Sequence, residues 1–136
     1  MKDKFPAQNP TPPRDPSQWD EGCSSDPVRN CVIVPDLRKR IVETASRHCC
    51  DIGAGTGYVT RKLAQYTDLS EVSWTLLEND MGMLQFSRKT VENMGLGAKV
   101  SIDSFDIENP HRQYDGTFNF AFCCFATLEF GMSPTI

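Results

Sequence analysis

The chain has 136 residues, 39% of them hydrophobic, and a formal net charge of −4 at pH 7. That length suits one compact domain at most. The acidic balance argues against a fold built around phosphate-backbone contacts, and no run approaches the ~20 apolar residues that span a bilayer.

Residues 1–30 are rich in Pro, Asp, Ser and Asn, with Pro6, Pro10, Pro12, Pro13 and Pro16 close together. Such a stretch buries too little apolar surface to offset its ordering entropy, so it is expected to be largely irregular. Trp19 is the exception, able to pack on whatever apolar surface is available or to cover a ligand cleft. The first residues carry no apolar core of the signal-peptide kind, which makes a cytoplasmic protein the expectation. Residues 31–136 read as the folded domain. Its first helix opens at Val34-Pro35-Asp36, where Pro35 fits an initial helical position and Leu37, Ile41, Val42 and Ala45 fall at helical spacing.

Residues 48–52 form a short apolar strand, and Tyr58–Tyr66 a helix with Val59, Leu63 and Tyr66 on one face. A second strand covers 72–77 and a helix 81–94, closed by Gly95 and Gly97. A third strand covers 99–104. The fourth, Thr117–Cys124, is apolar enough to be covered on both faces. Strands alternating with helices at this spacing indicate parallel βαβ units, an α/β doubly wound sheet. Of the six cysteines, Cys49-Cys50 and Cys123-Cys124 lie in strand-like runs and Cys23 and Cys31 stand alone. No C-x-x-C or His-rich spacing occurs, so buried free thiols are expected and no metal site is.

The run Asp51-Ile52-Gly53-Ala54-Gly55-Thr56-Gly57 joins the first strand to the helix after it. Three alternating glycines let the backbone bend sharply and let a ligand lie almost against it. A carboxylate two places ahead of the first glycine repels a pyrophosphate but suits a ligand with an amine or other positive charge. A nicotinamide or flavin site wants G-x-G-x-x-G, whose third glycine would fall at position 58, and that position holds Tyr58. No Gly-Lys-Ser/Thr follows the turn, which excludes a P-loop.

The pattern resembles the first motif of the class I S-adenosylmethionine-dependent methyltransferases, and three further features fall in register with that family. Glu78 closes the second strand, 21 residues beyond Gly57. Asp106-Ile107 follows the third strand, and Phe122-Cys123-Cys124-Phe125 ends the fourth. The resemblance implies a Rossmann-like sheet of strand order 3-2-1-4 with helices on both faces. It implies that Asp51 faces the amino group of S-adenosylmethionine, while Gly53, Ala54, Gly55, Thr56 and Gly57 bear its methionine portion and ribose. Glu78 would accept from the ribose hydroxyls, Asn79 would follow it at the ribose end, and Met81 would pack on the adenine face. Asp106 would accept from the adenine amino group, with the Ile107 backbone N–H beside it; Asp103 is a rival but lies within the strand. Cys123 and its neighbours would line the cleft near the methyl group.

The family's sheet has seven strands, so the sequence is expected to cover its N-terminal, cofactor-binding half. A truncated, inactive remnant or a module completed by a partner is the alternative to an active enzyme, with self-association through an open sheet edge. The catalytic residue is unassigned, since His111 is a single loop histidine. Acidity and the absence of nucleic-acid motifs favour a small-molecule methyl acceptor.

Overall fold

The fold was analysed in a computed structural model that describes residues 15–106, 114 and 116–124. The expectations placed on Ile107, His111, Phe125 and residues 1–14 lie outside the described residues.

Within the segment expected to be largely irregular, residues 16–24 form helix α1, Pro16–Ser24. Its start has a plain local cause. Asp15 is the N-cap, its carboxylate accepting from the Ser17 N–H at 3.0 Å, and Pro16 supplies a preset φ in the first turn. A π-helical turn, Arg29–Ile33, then runs straight into α2, Val34–Glu43. Leu37 and Ile41 point inward from α2, one helical turn apart.

Strands β1 (His48–Ile52), β2 (Ser73–Glu78), β3 (Val100–Ser104) and β4 (Phe120–Phe122) pair in the order β3-β2-β1-β4, all parallel. Helix α3 (Tyr58–Leu63) links β1 to β2, and α4 (Met81–Asn93) links β2 to β3. Asp80 caps α4 by accepting from the Met83 N–H at 3.0 Å.

In-register residues of the four strands point to one face: Cys49, Trp74, Val100 and Phe120, then Leu76, Ile102 and Phe122 a step later. They join one apolar cluster with Leu37, Ile41, Leu63 and Val91 from the helices. Two right-handed crossovers in the same direction, β1 to β2 and β2 to β3, carry α3 and α4 onto that face. Trp74, Leu63, Leu76 and Leu84 are essentially sealed from water, and each such side chain contributes about 1.5–3 kcal/mol. On the opposite face Cys50 and Leu77 are buried, whereas Ser101, Asp103 and Ala121 are exposed.

Strand β4 is shorter than the apolar run 117–124 suggests, and Ala121 is open where both faces were expected to be covered. The side chain of Asn119 marks its start. It accepts from the backbone N–H groups of Arg47 and His48 at 3.2 and 3.0 Å, while its own N–H donates to the His48 carbonyl at 2.8 Å.

Candidate functional site

The order β3-β2-β1-β4 reverses direction at β1, and ligands of open parallel sheets lie outside the carboxyl ends of the strands at such a switch point. The loop 53–57 stands there. Gly53, Gly55 and Gly57 have φ of 66°, 59° and 76°, the left-handed region that side-chain-bearing residues avoid. A Cβ on Gly57 would also stand 2.8 Å from the Leu76 Cδ1. The loop is pinned from β2, because the Gly53 and Ala54 N–H groups donate to the Leu77 carbonyl at 2.8 and 3.1 Å.

Two buried carboxylates flank this loop. Asp51, 3% exposed, accepts from the Thr60 hydroxyl at 2.8 Å. Burial pushes its carboxyl group up to about 7; the Thr60 bond pulls the other way, and the nearby Glu78 charge pushes it further up. Glu78, 4% exposed, accepts from the Gly55 N–H at 2.6 Å through one oxygen. Its other oxygen accepts from the Asn79 and Asp80 N–H groups at 2.8 and 2.7 Å. Glu78 therefore holds the glycine loop and the entry to α4 in a single geometry.

A cavity of about 30 Å³ lies between α1 and the loop, lined among others by Trp19, Arg29, Asp51, Gly55, Met83 and Cys124. Trp19 lies over the loop, its Nε1 3.3 Å from where a Gly55 Cβ would stand. Asp20 accepts from the Thr56 hydroxyl at 2.6 Å and pairs with the Arg61 guanidinium. The Arg29 guanidinium stands 5.4 Å from the Trp19 ring centroid and pairs with Asp26 at 2.8 Å.

The residues expected to form the site divide accordingly. Asp51, Gly53, Ala54, Gly55 and Thr56 line the cavity, and Gly57 and Glu78 fix the loop's shape. Asn79 is exposed and Met81 is 60% exposed, while Met83, on the inner side of α4, reaches the cavity instead. Asp106 is half-buried after β3. Cys123 is exposed, and it is Cys124 that faces the cavity. Burial pushes the Cys124 thiol up to about 12 and those of Cys49 and Cys50 to about 11 and about 12, so all three stay protonated at neutral pH, Cys124 as apolar lining of the cavity and the other two within β1. Asp20, Arg61 and Thr60 carry no sequence signal for their roles, since their partners are distant in the chain.

No described helix is long and apolar enough to cross a membrane. The methyltransferase-domain family matches residues 49–135. No curated protein matches the sequence significantly. Among solved structures, a methyltransferase from Aquifex aeolicus, described as SAM-dependent, superposes with a TM-score of 0.63 at 20% identity, over 87% of this chain and 61% of that one. A Podospora anserina methyltransferase solved with SAH bound gives 0.61 at 19% identity, over 89% and 58%. The N-terminal domain of EvdMO1, solved with SAH and D-fucose, gives 0.56 at 22% identity, over 67% and 38%. In each case the chain spans less than two thirds of the relative's length, and at these identities the likeness is one of fold.

Proposed function

The chain belongs to the methyltransferase-domain family, and from that premise we propose that it binds S-adenosylmethionine over the loop 53–57 and serves methyl transfer to a small acceptor. The observation that carries the reading is the loop itself: three left-handed glycines at the switch point, flanked by two buried carboxylates. The residues fit such a ligand. Gly53 and Gly55 leave backbone open to close approach. Asp51 places an acceptor beside the cavity for a cationic amino group, and a positive charge there would draw the carboxyl group back to its ionised form. Glu78 uses three of its lone-pair sites on backbone N–H groups, and the oxygen that accepts from Gly55 keeps one site for a ribose hydroxyl.

When bound, the sulfonium cofactor supplies an electrophilic methyl group. The protein's part in such chemistry is mostly positioning. Met83 and Cys124 give the cavity apolar walls, which favour exclusion of water. Asp106 is assigned to the adenine amino group, as the family pattern implies. The net charge of −4 supports a small acceptor over a nucleic acid.

Calorimetric titration with S-adenosylhomocysteine tests the assignment. Binding is expected in the wild type and its loss in Gly55→Val, where a side chain would meet Trp19 at a φ of 59°. A thermal melt of the variant separates lost binding from lost fold. No binding to the wild type, with tight binding of NAD instead, refutes the assignment.

A further inference from the structure

The segment that covers the candidate site is tied down unevenly. At its C-terminal end α1 is held through Asn30. The Asn30 side-chain amide donates to the carbonyls of Cys23 and Asp26 at 2.9 and 2.8 Å, and its oxygen accepts from the Tyr58 hydroxyl at 2.5 Å. Nearer its N-terminus, the Asp20 carboxylate holds α1 to the loop and α3, shared between Thr56 and Arg61. The Arg61 side chain is only 10% exposed, and its Nε has no partner among the described residues. Beneath this hold, the cavity of about 30 Å³ admits about two waters, against the ~300–1,000 Å³ usual for a small-molecule site. A nucleoside-sized ligand cannot enter while Trp19 rests on Gly55.

We propose that α1 is a gate over the cofactor cleft, plugged by Trp19, latched by Asp20 to Thr56 and Arg61, and hinged at the turn after Ser24. The gate rests on the methyl-donor reading for the identity of what passes it, but not for its movement. Opening separates Asp20 from Thr56 and Arg61, lifts Trp19 from the loop, and uncovers Cys124, which lines the cavity beneath it. The Asn30 bonds to Cys23, Asp26 and Tyr58 keep the hinge end in place.

The movement is measurable without ligand. Alkylation of each cysteine is followed by peptide mass spectrometry in the full 136-residue chain, with acrylamide quenching of tryptophan emission alongside. Trp74 is sealed in the core, so quenching reports Trp19. Asp20→Ala should raise Cys124 labelling by roughly tenfold or more, as expected for loss of a charge-assisted hydrogen bond. Thr56→Val breaks the latch without changing charge and should raise labelling about two- to tenfold. Labelling of Cys49 should stay slow in both, showing that the fold is intact. Stopped-flow association of S-adenosylhomocysteine should quicken in Asp20→Ala. Unchanged Cys124 labelling and Trp19 quenching in both variants would make α1 a fixed wall and overturn the gate. Faster labelling in proteins that never bind the nucleoside would uphold the movement and overturn the cofactor assignment instead.

Discussion

Replacing Asp51 by Asn tests the electrostatic reading of the site most directly. The folded protein holds this carboxyl group's proton up to about pH 7, whereas the unfolded chain releases it near 3.8. Between those values the native state binds more protons than the unfolded state, so stability falls as pH rises and levels off above pH 7. The raised value corresponds to about 4 kcal/mol lost between pH 3 and pH 8. Asn does not titrate, so the variant lacks this slope. Its amide N–H groups need acceptors in a fully buried site, at a fixed cost of about 1–3 kcal/mol if unmet. That cost is the same at every pH and cancels when two pH values are compared.

The assay is urea unfolding of both proteins from pH 4 to pH 8, read as the difference in unfolding free energy. Carboxylates that do not interact with Asp51 cancel in that difference. The variant should gain on the wild type as pH rises, by about 2–4 kcal/mol across the range. Two stability–pH curves that run parallel would show that Asp51 is ionised in the folded protein at acid pH and refute the argument. The same variant should bind S-adenosylhomocysteine more weakly at pH 8, having lost the charge that faces the amino group. A site residue whose removal stabilises the fold while weakening binding reflects a stability–function trade-off.

Two further perturbations probe the loop. Gly57→Ala forces a side chain into a left-handed position and against Leu76 at 2.8 Å, and should lower stability by about 2–4 kcal/mol in denaturant titration. An unchanged midpoint would mean that the loop yields without strain. Glu78→Ala frees the Gly55, Asn79 and Asp80 N–H groups and should lower stability by about 1.5–3 kcal/mol while weakening S-adenosylhomocysteine binding more than tenfold. Glu78→Gln, keeping one acceptor oxygen, should recover part of both losses; equal damage in the two variants would show that the acceptor is not what matters.

The sequence was most legible where backbone geometry carries the design. Strand β1 occupies residues 48–52 as the pattern suggested, because a buried parallel strand must read apolar up to the glycines that end it. The order β3-β2-β1-β4 followed from counting βαβ units and matching the family, and the three glycines are left-handed because the turn from β1 into α3 requires it. Legibility failed where the determinant was a short signal inside a misleading average. Asp15-Pro16 is a helix start of ordinary kind, yet the surrounding prolines made the whole stretch read as irregular. At the end of β4 the apolar run continued past the strand, so nothing in it distinguished exposed Cys123 from Cys124, which lines the cavity.

The remaining relations are between side chains far apart in the chain: Glu78 with Gly55, Asp20 with Thr56 and Arg61, Asp51 with Thr60. Spacing suggested Glu78 as a ligand-facing acid but gave no sign that it fastens the loop. The two roles are compatible, since a carboxylate fixed by three backbone N–H groups presents its one remaining lone pair in a set direction. That preorganisation lowers the ordering cost of binding. Asp20 stands at the opposite extreme, exposed in composition and ordinary in pattern, yet joining α1 to both the loop and α3. Motifs of the ligand cradle are readable because the ligand's chemistry fixes residue type and position together. What covers the cradle is set by the tertiary contacts of one particular chain, and these emerge only when the fold brings residues 20, 56 and 61 together.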